Sequence, residues 1–289
     1  HVGDANSPTS FTNHWFHQGK EDEALAGKEY RTETWARSGT SKTYLSTSWT
    51  GYAVRTILTP HEDDSAPGMA ADPGRMVRFA YAAEAHTFGY DTSATQSGNT
   101  TQAGMLLWRS EGLGGSGAVA SNVDMTLPVG SGVVHLRGTT EVDDRAQPTT
   151  STAYGRVGSD TIIRTRQTYA INEPAWILLP CESWTEGEND LTIYNHKRQS
   201  YDGIHPAWTE ALGNATCTVG SHGLSTKGEF RVYYPGDAPK TIEEHLTDFT
   251  PLGLPRHTKA LKKLEGWLYY EEPTGYQALV TREVIRVGL

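Results

Sequence analysis

The stretch Arg75–Arg109 opens on a segment that alternates with a period of two: Val77, Phe79, Tyr81, Ala83 and Ala85 fall on one side, Arg78, Glu84 and His86 on the other. Successive side chains of a β-strand point to opposite faces, so this segment reads as a half-buried strand. A polar linker rich in Ser, Thr, Gly and Asn follows, and then a second apolar strand, Ala103–Trp108. A strand, a long polar connection and another strand set the terms for the rest of the chain.

Thirty glycines and 14 prolines in 289 residues, with Ser and Thr throughout, favour many short strands joined by turns. Strands are expected over Lys28–Ser48 (as an edge pair), Tyr52–Pro60, Val133–Thr139, Asp160–Ala170, Ala175–Pro180, Leu191–Tyr194, Thr216–Gly220, Glu229–Tyr234, Lys262–Glu271 and Tyr276–Val287. Glu111–Ser121 and Glu141–Arg156 read as loops. Thr241–Phe249 carries the best helix signal, a capping Thr followed by acids and by apolar Ile242, Leu246 and Phe249. Ile204–Leu212 suggests one or two helical turns. The expected class is all-β: an antiparallel two-sheet jelly-roll sandwich with long loops and little helix. Residues 1–27 read as an extended N-terminal arm, and residues 28–289 as one domain with elaborated loops. No run of 18 apolar residues exists, so no membrane insertion is expected.

The positions Val77, Arg78, Ala80, Ser93, Ala94, Thr95, Gly104 and Trp108 resemble the rhythm of a nodavirus-like viral shell domain. Leu264–Glu271 followed by Glu272 and Pro273, and Asn172-Glu173-Pro174 before an apolar strand, are similar to later parts of such domains. Related coats occur in tombusviruses and in bacilladnaviruses. The resemblance implies a structural capsid protein that self-assembles into an icosahedral shell around a viral genome, acting in the virion and not as an enzyme. It also implies calcium at subunit interfaces. The net charge of −9 does not suit genome binding by this segment, so that contact is expected through a basic arm upstream of His1. Capsid autoproteolysis does not carry over, because no asparagine follows Asn214.

Carboxylates spaced two apart in a loop can wrap a calcium ion. Asp143, Asp144, Glu186, Glu188 and Asp190 are the candidates, although no EF-hand consensus is present. Arg256, Lys259, Lys262 and Lys263 form a local basic patch that could touch genome or a neighbouring subunit. The alternative function is a secreted carbohydrate-active β-sandwich. It would be either a lectin-like module or a copper-dependent polysaccharide monooxygenase using His1 with His14, His17 or His86. Trp108, Trp176 and Trp267 sit in apolar strand patterns and read as core; Trp15, Trp35, Trp49, Trp184 and Trp208 lie in polar contexts and read as surface. Cys181 and Cys217 could pair, but in a chain this large two free thiols are the expected state.

Overall fold

A computed structural model describes residues 9–59, 75–111, 119–130, 133–158, 161–188, 193–204, 212–213, 217–232, 241–249, 253, 255–264, 267–273 and 280–285. The chain is all-β and almost entirely antiparallel. Its helical content among the described residues is two 3-10 turns, Glu23–Leu25 and Glu173–Ala175. It divides into two compact units, one of residues 1–148 with 152–160 and one of 149–151 with 161–289.

The first unit contains β1 (Thr9–Phe16), β2 (Glu29–Ser38), β3 (Ser41–Thr59), β4 (Arg75–Tyr90), β5 (Thr100–Glu111), β6 (Ala120–Leu127), β7 (Val133–Val142) and β8 (Pro148–Arg156). The sheet runs β1-β2-β3-β4-β7-β8. β1 lies inside the segment read as an irregular arm, and it pairs with β2 from Thr9↔Arg37 to Phe16↔Glu29. β3 is a single strand where two were expected. Along one edge it pairs with β4 from Ser46 to Thr59; along the other it meets β2 up to Trp49 and then β5, in parallel, from Tyr52 to Arg55.

Beyond that parallel stretch the hairpin of β5 and β6 supplies a second layer. Met105, Met125, Leu127 and Val129 pack with Trp49, Phe88 and Tyr90 from β3 and β4 in the main core. The Trp49 indole N–H donates to the Leu106 carbonyl at 2.8 Å. Gly51 is required here: a Cβ on it would lie 2.6 Å from that same carbonyl oxygen. Gly104, at φ +66, takes up a register shift in β5, and its N–H donates to Asp124.

The second unit is a meander of β9 (Ile163–Asn172), β10 (Ile177–Gly187), β11 (Ile193–Tyr201), β12 (Ser225–Val232), β13 (Thr241–Phe249), β14 (Pro255–Leu264), β15 (Trp267–Pro273) and β16 (Val280–Ile285), each beside its neighbour in sequence. The helix expected over Thr241–Phe249 is β13, hydrogen-bonded to β12 on one side and β14 on the other. Apolar residues four apart, such as Ile242 and Leu246, share a face in a strand as well as in a helix. Two flanking ladders outweigh the capping signal. Of the loop expected over Glu141–Arg156, Pro148–Arg156 is the strand β8, and of the loop expected over Glu111–Ser121, Glu111 ends β5 while Ala120 and Ser121 begin β6. Residues 217–220 of the expected strand Thr216–Gly220 are not strand. The helical turns expected over Ile204–Leu212 lie mostly outside the described residues.

Candidate functional site

The register of β9–β12 gathers charge on one face of the second unit. Thr168, Glu182, Arg198 and Glu229 form one cross-strand row; Arg166, Trp184, His196 and Arg231 form the next. Glu182 and His196 meet at 2.6 Å with no side-chain exposure at all. Glu186 accepts from Arg166 Nε at 2.6 Å, Arg164 at 3.1 Å and the Trp184 indole at 3.0 Å. Burial works against its charge, but those three donors outweigh it and hold the Glu186 carboxyl below the ordinary range. Lys227 pairs with Glu229 at 3.3 Å.

The connection from β11 to β12 covers part of this layer. A Cβ on Gly213 would sit 3.2 Å from the Trp184 ring, and one on Gly223 would sit 3.1 Å from Leu179. Cys181 and Cys217 form a disulfide, which corrects the expectation of two thiols. Ala170, Tyr201 and Val219 pack around it. The Asp202 carboxylate accepts from the backbone N–H groups of His222, Gly223 and Leu224 and so closes the base of the connection. Burial opposes its charge as well, yet the three backbone donors keep it below the usual aspartate range. Beside the layer, β10–β12 line an open cavity of about 370 Å³ whose walls include Ser183, Lys197, Gln199, Gly228 and Phe230. Its Lys197 ammonium lies 5.2 Å from the Phe230 ring centre.

In the first unit β4 and β7 bring His86 Nδ1 within 2.8 Å of His135 Nε2. Glu84 takes His86 Nε2 at 2.9 Å and Arg137 Nε at 2.7 Å. Of the facing nitrogens, His86 Nδ1 and His135 Nε2, one donates and the other accepts, so at least one of the two is protonated. Burial, then the neighbouring His86 and Arg137, push His135 below its ordinary pKa, against the pull of Glu84. Burial likewise lowers His17, which packs against Tyr30 and Tyr52.

The calcium candidates divide between the two units. Asp143 caps its own turn, accepting from the Arg145 and Gln147 backbone at 2.8 Å each, and Asp144 lies 3.5 Å from Arg55. Glu186 is bound as above, Glu188 is exposed, and Asp190 lies outside the described residues. Among the described residues no three His, Cys, Asp or Glu side chains form a metal-binding group. The basic patch falls on β14, where Lys259 stands opposite Leu246, Lys262 opposite Glu243 and Lys263 opposite Ile242; Arg256 sits at a register shift. The two-residue period therefore separates position 262 from 259 and 263. His14 bonds Glu29 at 2.7 Å, and His1 lies outside the described residues.

Four of the tryptophan expectations reverse, and the side chains of Trp208 and Trp267 lie outside the described residues. Trp35, Trp49 and Trp184 are buried, while Trp176 is 89% exposed at the β9–β10 turn with φ 55°. Trp15 and Trp108 are half-buried. Glu182 and His196 are missed from sequence, although a signal existed. Glu182, Trp184 and Glu186 alternate at period two, as do His196, Arg198 and Ser200, which is the pattern of a face that is polar and still buried.

No family model and no curated protein matches the chain. Among solved structures, a chain of the Photorhabdus luminescens Tc holotoxin pore aligns over 89% of this chain with a TM-score of 0.51 and 10% identity. Chains of the TcdB2–TccC3 complexes, with and without Cdc42, align over 81% with TM-scores of 0.46 and 0.47 and 11% identity. This chain spans 16% of the first and 13% of the other two. The likeness to the holotoxin chain is one of fold, a β-sheet arrangement of the same kind.

Proposed function

We propose that the chain is a structural wall element, a stretch of antiparallel sheet that forms part of a protein shell, and not a catalyst. The observation that carries this reading is the strand order: from β9 to β16 every strand lies beside its neighbour in sequence. Such a meander builds a sheet one hairpin at a time. The buried charged groups support the same reading. Glu182 holds His196, Glu186 holds two arginines and an indole, and Asp202 holds three backbone amides. Each interaction fastens one strand or connection to the next. The likeness to a chain of the Tc holotoxin pore is one of fold, which an extended sheet of this kind shares.

The icosahedral coat is the finer form of this role: many copies side by side, enclosing a genome, with calcium between subunits. Weak contacts then suffice, because each copy has several neighbours. The copper-oxygenase alternative gains less support, since His14 is bonded to Glu29, His17 is buried and His86 is bonded to His135.

Sedimentation velocity with negative-stain microscopy, over rising concentration and with and without a calcium chelator, tests the reading. Concentration-dependent assemblies with sheet-like or closed walls are expected. Swelling or dissociation on chelation would support the calcium form. A monomer of 31.7 kDa at every concentration would overturn the wall role.

A further inference from the structure

The strand β1 is the weakest-covered element among the described residues. Among the described residues it pairs with β2 on one edge only, and positions 10–14 are all exposed. Phe11 is 38% and Phe16 48% exposed. Fixing an eight-residue strand gives up backbone entropy at every position. The Phe11–Trp35 stack, centroids 4.4 Å apart, and the ion pair of His14 with Glu29 return a small part of that. A second ladder on the outer edge would make up the remainder.

The composition of β1 leaves that edge open. Its sequence, TSFTNHWF, holds no Lys, Arg, Asp, Glu or Pro, the residues that blunt a sheet edge against pairing. At the other end of the sheet β16, VTREVI, carries Arg282 and Glu283. A chain of net charge −9 repels its own copies over most of its surface. The uncharged edge of β1 is where two copies can approach without setting like charges against each other.

We propose that the outer edge of β1 pairs antiparallel with β1 of a second copy, about a two-fold axis between Thr12 and Asn13. The inference rests on the wall role above and names the contact that would build it. In this register Thr12 faces Asn13 of the second copy, Phe11 faces its His14, and Ser10 faces its Trp15. Two aromatic cross-strand pairs of Phe11 with His14 then flank a neutral centre. The interface is isologous, as a two-fold contact must be.

The test compares the full chain with two double variants, Thr12→Lys with Asn13→Lys and Thr12→Glu with Asn13→Glu, by sedimentation velocity. Each double variant sets like charges directly opposite at the centre of the pair, so self-association should weaken at least tenfold. An equal mixture of the two should restore it, because lysines then face glutamates. Restoration also shows that the variants still form β1. Association of the lysine variant equal to that of the unmodified chain would overturn the β1 contact and leave the wall role standing. So would a mixture that fails to recover. An unmodified chain that stays monomeric throughout would overturn both.

Discussion

The two units solve the same problem with different materials. The first buries apolar and aromatic residues under a second layer, with Trp49, Phe88, Met105, Met125 and Leu127 all at most 4% exposed. The second has a small apolar cluster around Ala170, Cys181, Tyr201 and Val219, and beside it a buried layer of paired charges. An apolar core is stabilised by removing surface from water, which is insensitive to reductant and to the loss of any one charged partner. A charged layer depends on partners staying paired, and a small cluster depends on its cross-link. The second unit should therefore respond to perturbations that leave the first unmoved.

Reduction should separate them most. The disulfide Cys181–Cys217 spans 36 residues and holds the β11–β12 connection over the sheet. Loop-closure entropy assigns such a link about 4 kcal/mol. Differential scanning calorimetry with dithiothreitol, or on Cys217→Ser, should show one transition fall steeply and the other stay in place. Equal shifts in both transitions would mean that the units unfold together and that the contrast between them does not hold.

The buried pair comes next. Glu182→Ala leaves His196 at zero exposure without its carboxylate, and should cost about 3 kcal/mol in the second unit. Replacing both, Glu182→Leu with His196→Leu, should return to within about 1 kcal/mol of the starting stability. Denaturant midpoints of the single and double variants form the check. If the double variant is as unstable as the single one, the charged layer contributes more than local compensation of its own desolvation.

Acid should order the units the other way. His135 and His17 in the first unit are held below the ordinary histidine value of 6.5, so their neutral forms stabilise the fold. That stability is complete above pH 6.5 and is lost as pH falls through the lowered values. Glu186 and Asp202 in the second unit are carboxylates held below 4.5 and 3.8, so their contribution persists until the solution is more acid than those values. Hydrogen exchange between pH 7 and pH 3 should show protection around β4 and β7 declining first. A decline that begins around β10 would contradict the assignment.

How much of this was legible follows from what a local pattern can carry. The alternation from Val77 to His86 located β4 but not its ends or its buried side: Ala83 is buried, yet beyond it the buried positions are His86, Phe88 and Tyr90 while Ala85 is exposed. β3 was divided at Trp49–Tyr52 because its partner changes there from β2 to β5, and a change of partner leaves no mark on hydropathy. Trp49 and Trp184 were read as surface because their sequence neighbours are polar. In a strand those neighbours point to the other face, so local polarity says little about the residue between them. The Glu182–His196 pair joins positions 14 apart through the β10–β11 register, which the sequence does not state. The disulfide was left open for the same reason: spacing alone cannot say that the β11–β12 connection returns to Cys181.

The smallest expected effect is at Trp176, where the two kinds of stabilisation are both absent. Its backbone sits at φ 55°, in the left-handed region, as the cap residue of the Glu173–Ala175 turn, and its side chain is 89% exposed. A bulky residue is disfavoured there, while asparagine tolerates the conformation. Trp176→Asn removes no packing among the described residues and relieves the backbone, so the second unit should gain about 0.5 kcal/mol. A rise of a degree or two in its thermal midpoint would agree. A fall, seen only at concentrations where the chain associates, would mean that the exposed ring is an anchor between copies. The turn would then hold its strained backbone because the wall needs the tryptophan there, in the way that functional sites retain local strain.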